Sequence, residues 1–199
     1  NSIANHVIFD NESLIFRKEN DTVINYVGKR NVVSGYDAAK NLKRGQDNVF
    51  VGHSAGSANN NSINSANFTH LASHNVFIGT NAGKNNVDGY RNIFIGDNNS
   101  CNVANLYTQT NGATTTNTNN MRSAILNNIG IGADGQASGG NTIAIGNNNS
   151  TEAKNSTTIG HFSTNTTTAD NSTILGNKIT NTGKNAFILR ANGSNQTTN

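Results

Sequence analysis

A hexapeptide closing on glycine recurs along most of this chain: DNVFVG (47–52), HNVFIG (74–79), RNIFIG (91–96), NNIGIG (127–132), NTIAIG (141–146), NSTTIG (155–160) and NSTILG (171–176). A unit this short cannot enclose a core alone, so it must stack on its own copies. Anchored on the final glycine, the copies stand at 35, 52, 79, 96, 132, 146, 160 and 176, with Arg190 of NAFILR in the last register. The spacings are 17, 27, 17, 36, 14, 14, 16 and 14. The underlying period is 14 residues, room for two short strands and two turns, and equivalent strands of successive coils pair in parallel. Longer spacings are then insertions, the two large ones falling between Gly52 and Gly79 and between Gly96 and Gly132. A weaker second signature, YDAA (36–39), HSAG (53–56) and TNAG (80–83), suits a turn entering the other strand.

The repeat makes the 199 residues one elongated β-roll domain, with 31–190 as regular coils and insertions near 57–73 and 97–126. Residues 1–30 read as degenerate capping coils, since NHVIFD (5–10), NESLIF (11–16) and NDTVIN (20–25) keep only the alternation. End repeats of solenoids are atypical because one side meets solvent. Only 33% of the residues are hydrophobic, which without order would indicate disorder. The periodic apolar triplets overrule that reading, because each coil needs few inward residues and its corners use Asn and Gly. The absence of Pro fits a ladder that uses nearly every N–H.

Within each strand the residues one and three before the glycine share a face. That face carries Val49/Val51, Val76/Ile78, Ile93/Ile95, Ile129/Ile131 and Ile143/Ile145, and is expected to be the interior. The other face carries Val33, Phe50, Phe77, Phe94, Gly130, Ala144, Thr158, Ile174 and Ile188, also mostly apolar. A single roll has one interior, so this second column must meet something else. Either copies of the chain associate about a common axis, with Phe50, Phe77, Phe94, Ala144, Ile174 and Ile188 at the interface, or an insertion folds back over it.

The serial motif NTIAIG, NSTTIG, NSTILG resembles the repeat of YadA-like heads in trimeric autotransporter adhesins, over roughly residues 31–190. The resemblance implies a left-handed parallel β-roll, a homotrimer, and display on the extracellular side of a bacterial outer membrane. It implies attachment to a host surface glycoprotein of CEACAM type, or to a matrix protein such as collagen or fibronectin. The family commonly places Ala in the middle column, whereas Phe50, Phe77 and Phe94 occupy it here, so the subunits are expected to splay there. The chain holds no heptad stalk or membrane barrel and reads as an excised head. The NVFIG plus TNAG variant also resembles phage tail-fibre repeats, which implies binding of bacterial surface glycan, and a tailspike-like glycan hydrolase is a third reading.

Regular coils are scaffold, so specificity is expected in the loops. Phe68, His70 and Leu71 in the first insertion, and Leu106, Tyr107, Met121 and Arg122 in the second, are the candidate partner-binding residues, because apolar and arginine anchors supply much of an interface's energy. The formal charge is +3, and seven of the fourteen Lys and Arg lie in the first 44 residues beside five acids, too mild a patch for nucleic acid. Cys101 is alone, so it forms no intrachain disulfide. His6, His53, His70, His74 and His161 lack ligand spacing, and the acids are scattered, so no metal, cofactor or catalytic residue is expected and the chain reads as non-enzymatic. Nothing approaches a membrane helix or the charged and apolar regions of a signal peptide. The Thr runs at 114–116 and 166–168 do not share a register, which argues against an ice-matching array, and N-x-S/T sequons follow from composition alone.

Overall fold

The computed structural model describes residues 5–10, 13–18, 30–42, 45–57, 73–86, 89–100, 127–190 and 196–198, and among them there is no helix. The chain is an all-β solenoid of stacked parallel coils. One ladder runs its whole length, through β1 (Asn5–Asp10), β2 (Ser13–Lys18), β3 (Val32–Ser34), β4 (Val49–Val51), β5 (Val76–Ile78), β6 (Ile93–Ile95) and β7 (Ile129–Ile131). It continues through β9 (Ile143–Asn147), β11 (Thr157–His161), β13 (Thr173–Asn177) and β15 (Phe187–Arg190). The register follows the glycine anchor: Val49 opposes Val76, Val76 opposes Ile93, Ile93 opposes Ile129, and Ile129 opposes Ile143.

Among the described residues a second ladder of strands is found in the C-terminal half, where β8 (Gln136–Ala137), β10 (Ser150–Thr151), β12 (Thr164–Asn165), β14 (Ile179–Asn181) and β16 (Gln196–Thr198) stack in parallel and Ser100 bridges to Gln136. In the N-terminal coils the corresponding segments are turns. The Ala39 N–H donates to Ala55 O, and the Gly56 N–H donates to Ala82 O, so coils there are tied turn to turn. The expectation of two strands per coil therefore holds for the shorter coils alone. The N-terminal cap also differs, since β1 turns back on β2 as an antiparallel hairpin and only β2 joins β3 in parallel. Residues 20–25 lie outside the described part.

The assignment of faces is reversed. Phe50, Phe77 and Phe94 are 0% exposed within the single chain, as is Val33, while Ala144 and Ile174 of the same column are also buried. The rings stack along the axis with centroids 5.2 Å apart for Phe50–Phe77 and 5.3 Å for Phe77–Phe94. These residues form the roll's own interior and are not free to meet another subunit; only Ile188, in the last coil, is half-buried.

The reason is the opposite wall. The turn signature puts Ala55 and Gly56 across from Phe50, and Ala82 and Gly83 across from Phe77. A methyl on Gly56 would lie 2.7 Å from Phe50 Cδ1, and one on Gly83 would overlap the Phe77 ring. Large residues on one wall thus meet small ones on the other, and the two together fill the coil. Toward the C-terminus Gly130, Ala144 and Thr158 are small, and Ala137, Thr151 and Asn165 on the second ladder close over them. Thr158 Oγ1 accepts from Thr151 Oγ1 at 2.8 Å and from Asn165 Nδ2 at 3.1 Å.

Each coil enters its strand through a corner in the left-handed region, with φ of 52 to 59° at Arg30, Asp47, His74, Arg91, Asn127, Asn141, Asn155, Asn171 and Asn185. Asparagine adopts this conformation more readily than most residues, which accounts for its place ahead of each C-terminal strand. The next position is buried and polar. Asn48 N–H donates to Asn31 Oδ1 (3.0 Å), Asn75 N–H to Asn48 Oδ1 (2.9 Å), Asn92 N–H to Asn75 Oδ1 (3.0 Å) and Asn128 N–H to Asn92 Oδ1 (2.9 Å). Thr142, Ser156 and Ser172 extend the line, so the polar groups are satisfied at the strand entry. The glycine closing each strand has φ of 114 to 153°, and a Cβ there would strike the carbonyl of the residue that follows it in the stack, a glycine in every case but Gly176, which meets Arg190.

Candidate functional site: an apolar seam and a polar groove

Because the middle column fills the interior, the residues one and three before each glycine face outward. Val32, Val51, Ile78, Ile95, Ile131 and Ile159 are each 36 to 38% exposed, and Val49, Val76, Ile93, Ile129, Ile143 and Ile145 are half-buried beside them. Nine parallel strands from β3 to β15 carry the line, which makes a straight aliphatic seam about 40 Å long at the usual strand separation. It ends on Phe187 and Leu189, which are 68% and 72% exposed. Solitary surface aliphatics are ordinary, but a contiguous exposed strip of β-branched residues is the kind of patch that marks a contact surface.

The corner bordering the seam is polar throughout. In the C-terminal half the side-chain amides of Asn127, Asn141, Asn155, Asn171 and Asn185 donate each to the next at 2.9 to 3.2 Å. In the N-terminal half the same positions are held by Arg30, Asp47, His74 and Arg91. Arg30 holds Asp47 through two bonds of 2.6 and 2.9 Å, and His74 Nδ1 lies 3.8 Å from the same carboxylate. The hydrogen bonds from Arg30 hold the Asp47 carboxyl below the ordinary carboxylate range.

A cavity of about 570 Å³ opens on the C-terminal half, bordered by Gln136, Ser138, Gly139, Glu152, Lys154, Thr167 and Asp170. It lies where the second ladder turns toward the Asn corner.

Of the residues anticipated as functional, Phe68, His70, Leu71, Leu106, Tyr107, Met121 and Arg122 lie outside the described part, as does Cys101. Three of the histidines stand apart: His53 stacks on Tyr36 with centroids 5.5 Å apart, His74 sits beside Asp47, and His161 meets the edge of Phe162. Among the described residues no three His, Cys, Asp or Glu side chains converge as metal ligands, and no helix is long and apolar enough to cross a membrane. The groove was not anticipated; its acids are far apart in sequence, and only the coil register brings them to one corner. Comparison with protein-family models, curated proteins and solved structures returned no match.

Proposed function

We propose that this chain is the head of a bacterial cell-surface adhesin, a homotrimer standing on the extracellular side of the outer membrane. In this reading it is a non-enzymatic binder of a host surface glycoprotein or matrix protein. The observation that carries the reading is the aliphatic seam, which a single roll leaves open along its length. Three seams meeting on a common axis would close it with identical side chains at matched heights, the self-complementary arrangement of a symmetric oligomer. The resulting shaft would hold loops such as 97–126 on its flanks, and a rigid frame presenting variable loops is suited to recognition of a protein surface.

Two measurements test this reading. The mass of the chain in solution at micromolar concentration is expected to equal three chains, and a single-chain mass overturns the assembly. Binding to an array of cell-surface ectodomains and matrix proteins is expected to give a hit that disappears when residues 98–126 are shortened. An array without hits, in a chain that assembles, shifts the reading to a phage tail fibre, whose seam would serve the same assembly.

A further inference from the structure

We infer that the groove between the second ladder and the Asn corner is a binding site for a neutral sugar residue of a glycan, separate from the inserted loops. Its shape comes from a local change of coil length. From the second ladder to the Asn corner the chain takes four residues in one coil, Thr151 to Asn155, and four in another, Asn181 to Asn185, but six from Asn165 to Asn171. The two extra residues make the segment 166–170 bulge outward. On the other side the wall drops back at Gly139, where any Cβ would strike the Ala153 carbonyl. A raised threonine ridge above a glycine floor leaves the cavity of about 570 Å³, within the range of small-molecule sites.

The groove's polar groups are unspent. Ser150, Ser156, Thr166 and Thr168 around it all have hydrogen-bonded hydroxyls. By contrast, the Gln136 amide, the Ser138 and Thr167 hydroxyls and the Lys154 ammonium have no side-chain hydrogen bond or ion pair among the described residues. Glu152 receives only Ser150 Oγ on Oε1 (3.1 Å), and Asp170 receives only the Lys154 N–H on Oδ1 (3.0 Å), so each keeps an oxygen free. Lys154 and Asp170 stand in successive coils of one corner, since Asn171 N–H bonds Lys154 O and Asn185 N–H bonds Asp170 O.

This set selects a polyol. Two carboxylates accept from adjacent hydroxyls, while the ammonium and the amide donate to hydroxyl or ring oxygens. A bare cation would meet Lys154 in the same groove. An acidic sugar would meet two carboxylates against one ammonium. A neutral hexose ring satisfies both signs at once.

The test is saturation-transfer NMR and array binding of the full chain. The probes are neutral oligosaccharides ending in glucose, galactose, mannose or N-acetylglucosamine, beside sialylated and uronic-acid glycans of equal length. At least one neutral probe is expected to bind. Thr167→Val and Gln136→Ala, which remove groups without structural bonds, are each expected to weaken it severalfold, and Glu152→Gln with Thr167→Val at least tenfold, at unchanged thermal midpoint. No binding to any neutral probe at millimolar concentration overturns the proposal, as does binding confined to acidic glycans or binding unmoved by all three substitutions. Shortening residues 98–126 is expected to leave this signal intact, so failure of the loop-borne receptor reading and failure of the groove are read separately.

Discussion

Phe94 and Gly130 occupy the same register position in adjacent coils, and a methyl placed on Gly130 would lie 2.8 Å from Phe94 Cδ1 and 2.7 Å from Asn99 Oδ1. The last of the large interior rings is therefore accommodated by the one residue without a side chain. Gly130→Ala is expected to cost about 1–3 kcal/mol by overpacking. Phe94→Leu on the same background should recover part of that loss, and chemical denaturation of the two single variants and the double variant measures the coupling.

Ile78 and Phe77 are adjacent in sequence, yet Ile78→Asp with Ile95→Asp on one side and Phe77→Asp on the other are opposite in consequence. The first pair alters the seam and is expected to leave the coil folded while the assembled mass falls to one chain. Phe77→Asp buries a carboxylate inside the roll and is expected to abolish folding of the surrounding coils. Light scattering with far-ultraviolet circular dichroism separates them, and a folded, trimeric Phe77→Asp chain would contradict the interior placement.

Asn75→Ala removes both an acceptor for the Asn92 N–H and donors to Asn48 and Gly89. The buried Asn92 N–H is left without that partner, at a cost of about 1–3 kcal/mol. Asn75→Thr should cost less, because Thr142 already holds the equivalent place. Urea midpoints of the two variants provide the comparison.

The Arg30–Asp47 pair makes a pH-dependent contribution. Since the folded carboxyl titrates below its unfolded value, its stabilisation is complete above the ordinary carboxylate pKa and is lost as pH falls through the lowered one. The stability difference between the parent and Asp47→Asn is therefore expected to shrink on acidification below that range. Both partners are partly exposed, so added salt should also reduce it. A difference independent of pH would remove the pair from the stability of this corner.

The architecture was legible because one glycine column, repeated at fixed registers, dictates parallel stacking, and the ladder pairs residues at the spacings counted from those glycines. The faces were not, because both columns of each strand are apolar and alternation does not say which one is inside. The deciding signal was present but unused: the small residues of HSAG and TNAG are the partners that Phe50 and Phe77 require. Nor did the motifs reveal that their second residue, an Asn, Thr or Ser, forms a buried ladder, since a polar residue at a strand entry reads as a solvated turn. The groove depends on two added residues near Thr167, a displacement that has no meaning until neighbouring coils are aligned.

The ladder joins Phe94 to Gly130 across 36 residues in the same way that it joins Gly130 to Ala144 across 14. Loop closure grows so slowly with length that the 22 additional residues cost only about 0.8 kcal/mol. Coil spacing and loop length are thus independent variables, and the frame behaves as a rack with interchangeable fittings. Foreign peptides spliced between Ser100 and Asn127 should be carried at a fixed height without altering the neighbouring shelves, so a lineage or a laboratory could exchange what is displayed while inheriting the mount unchanged.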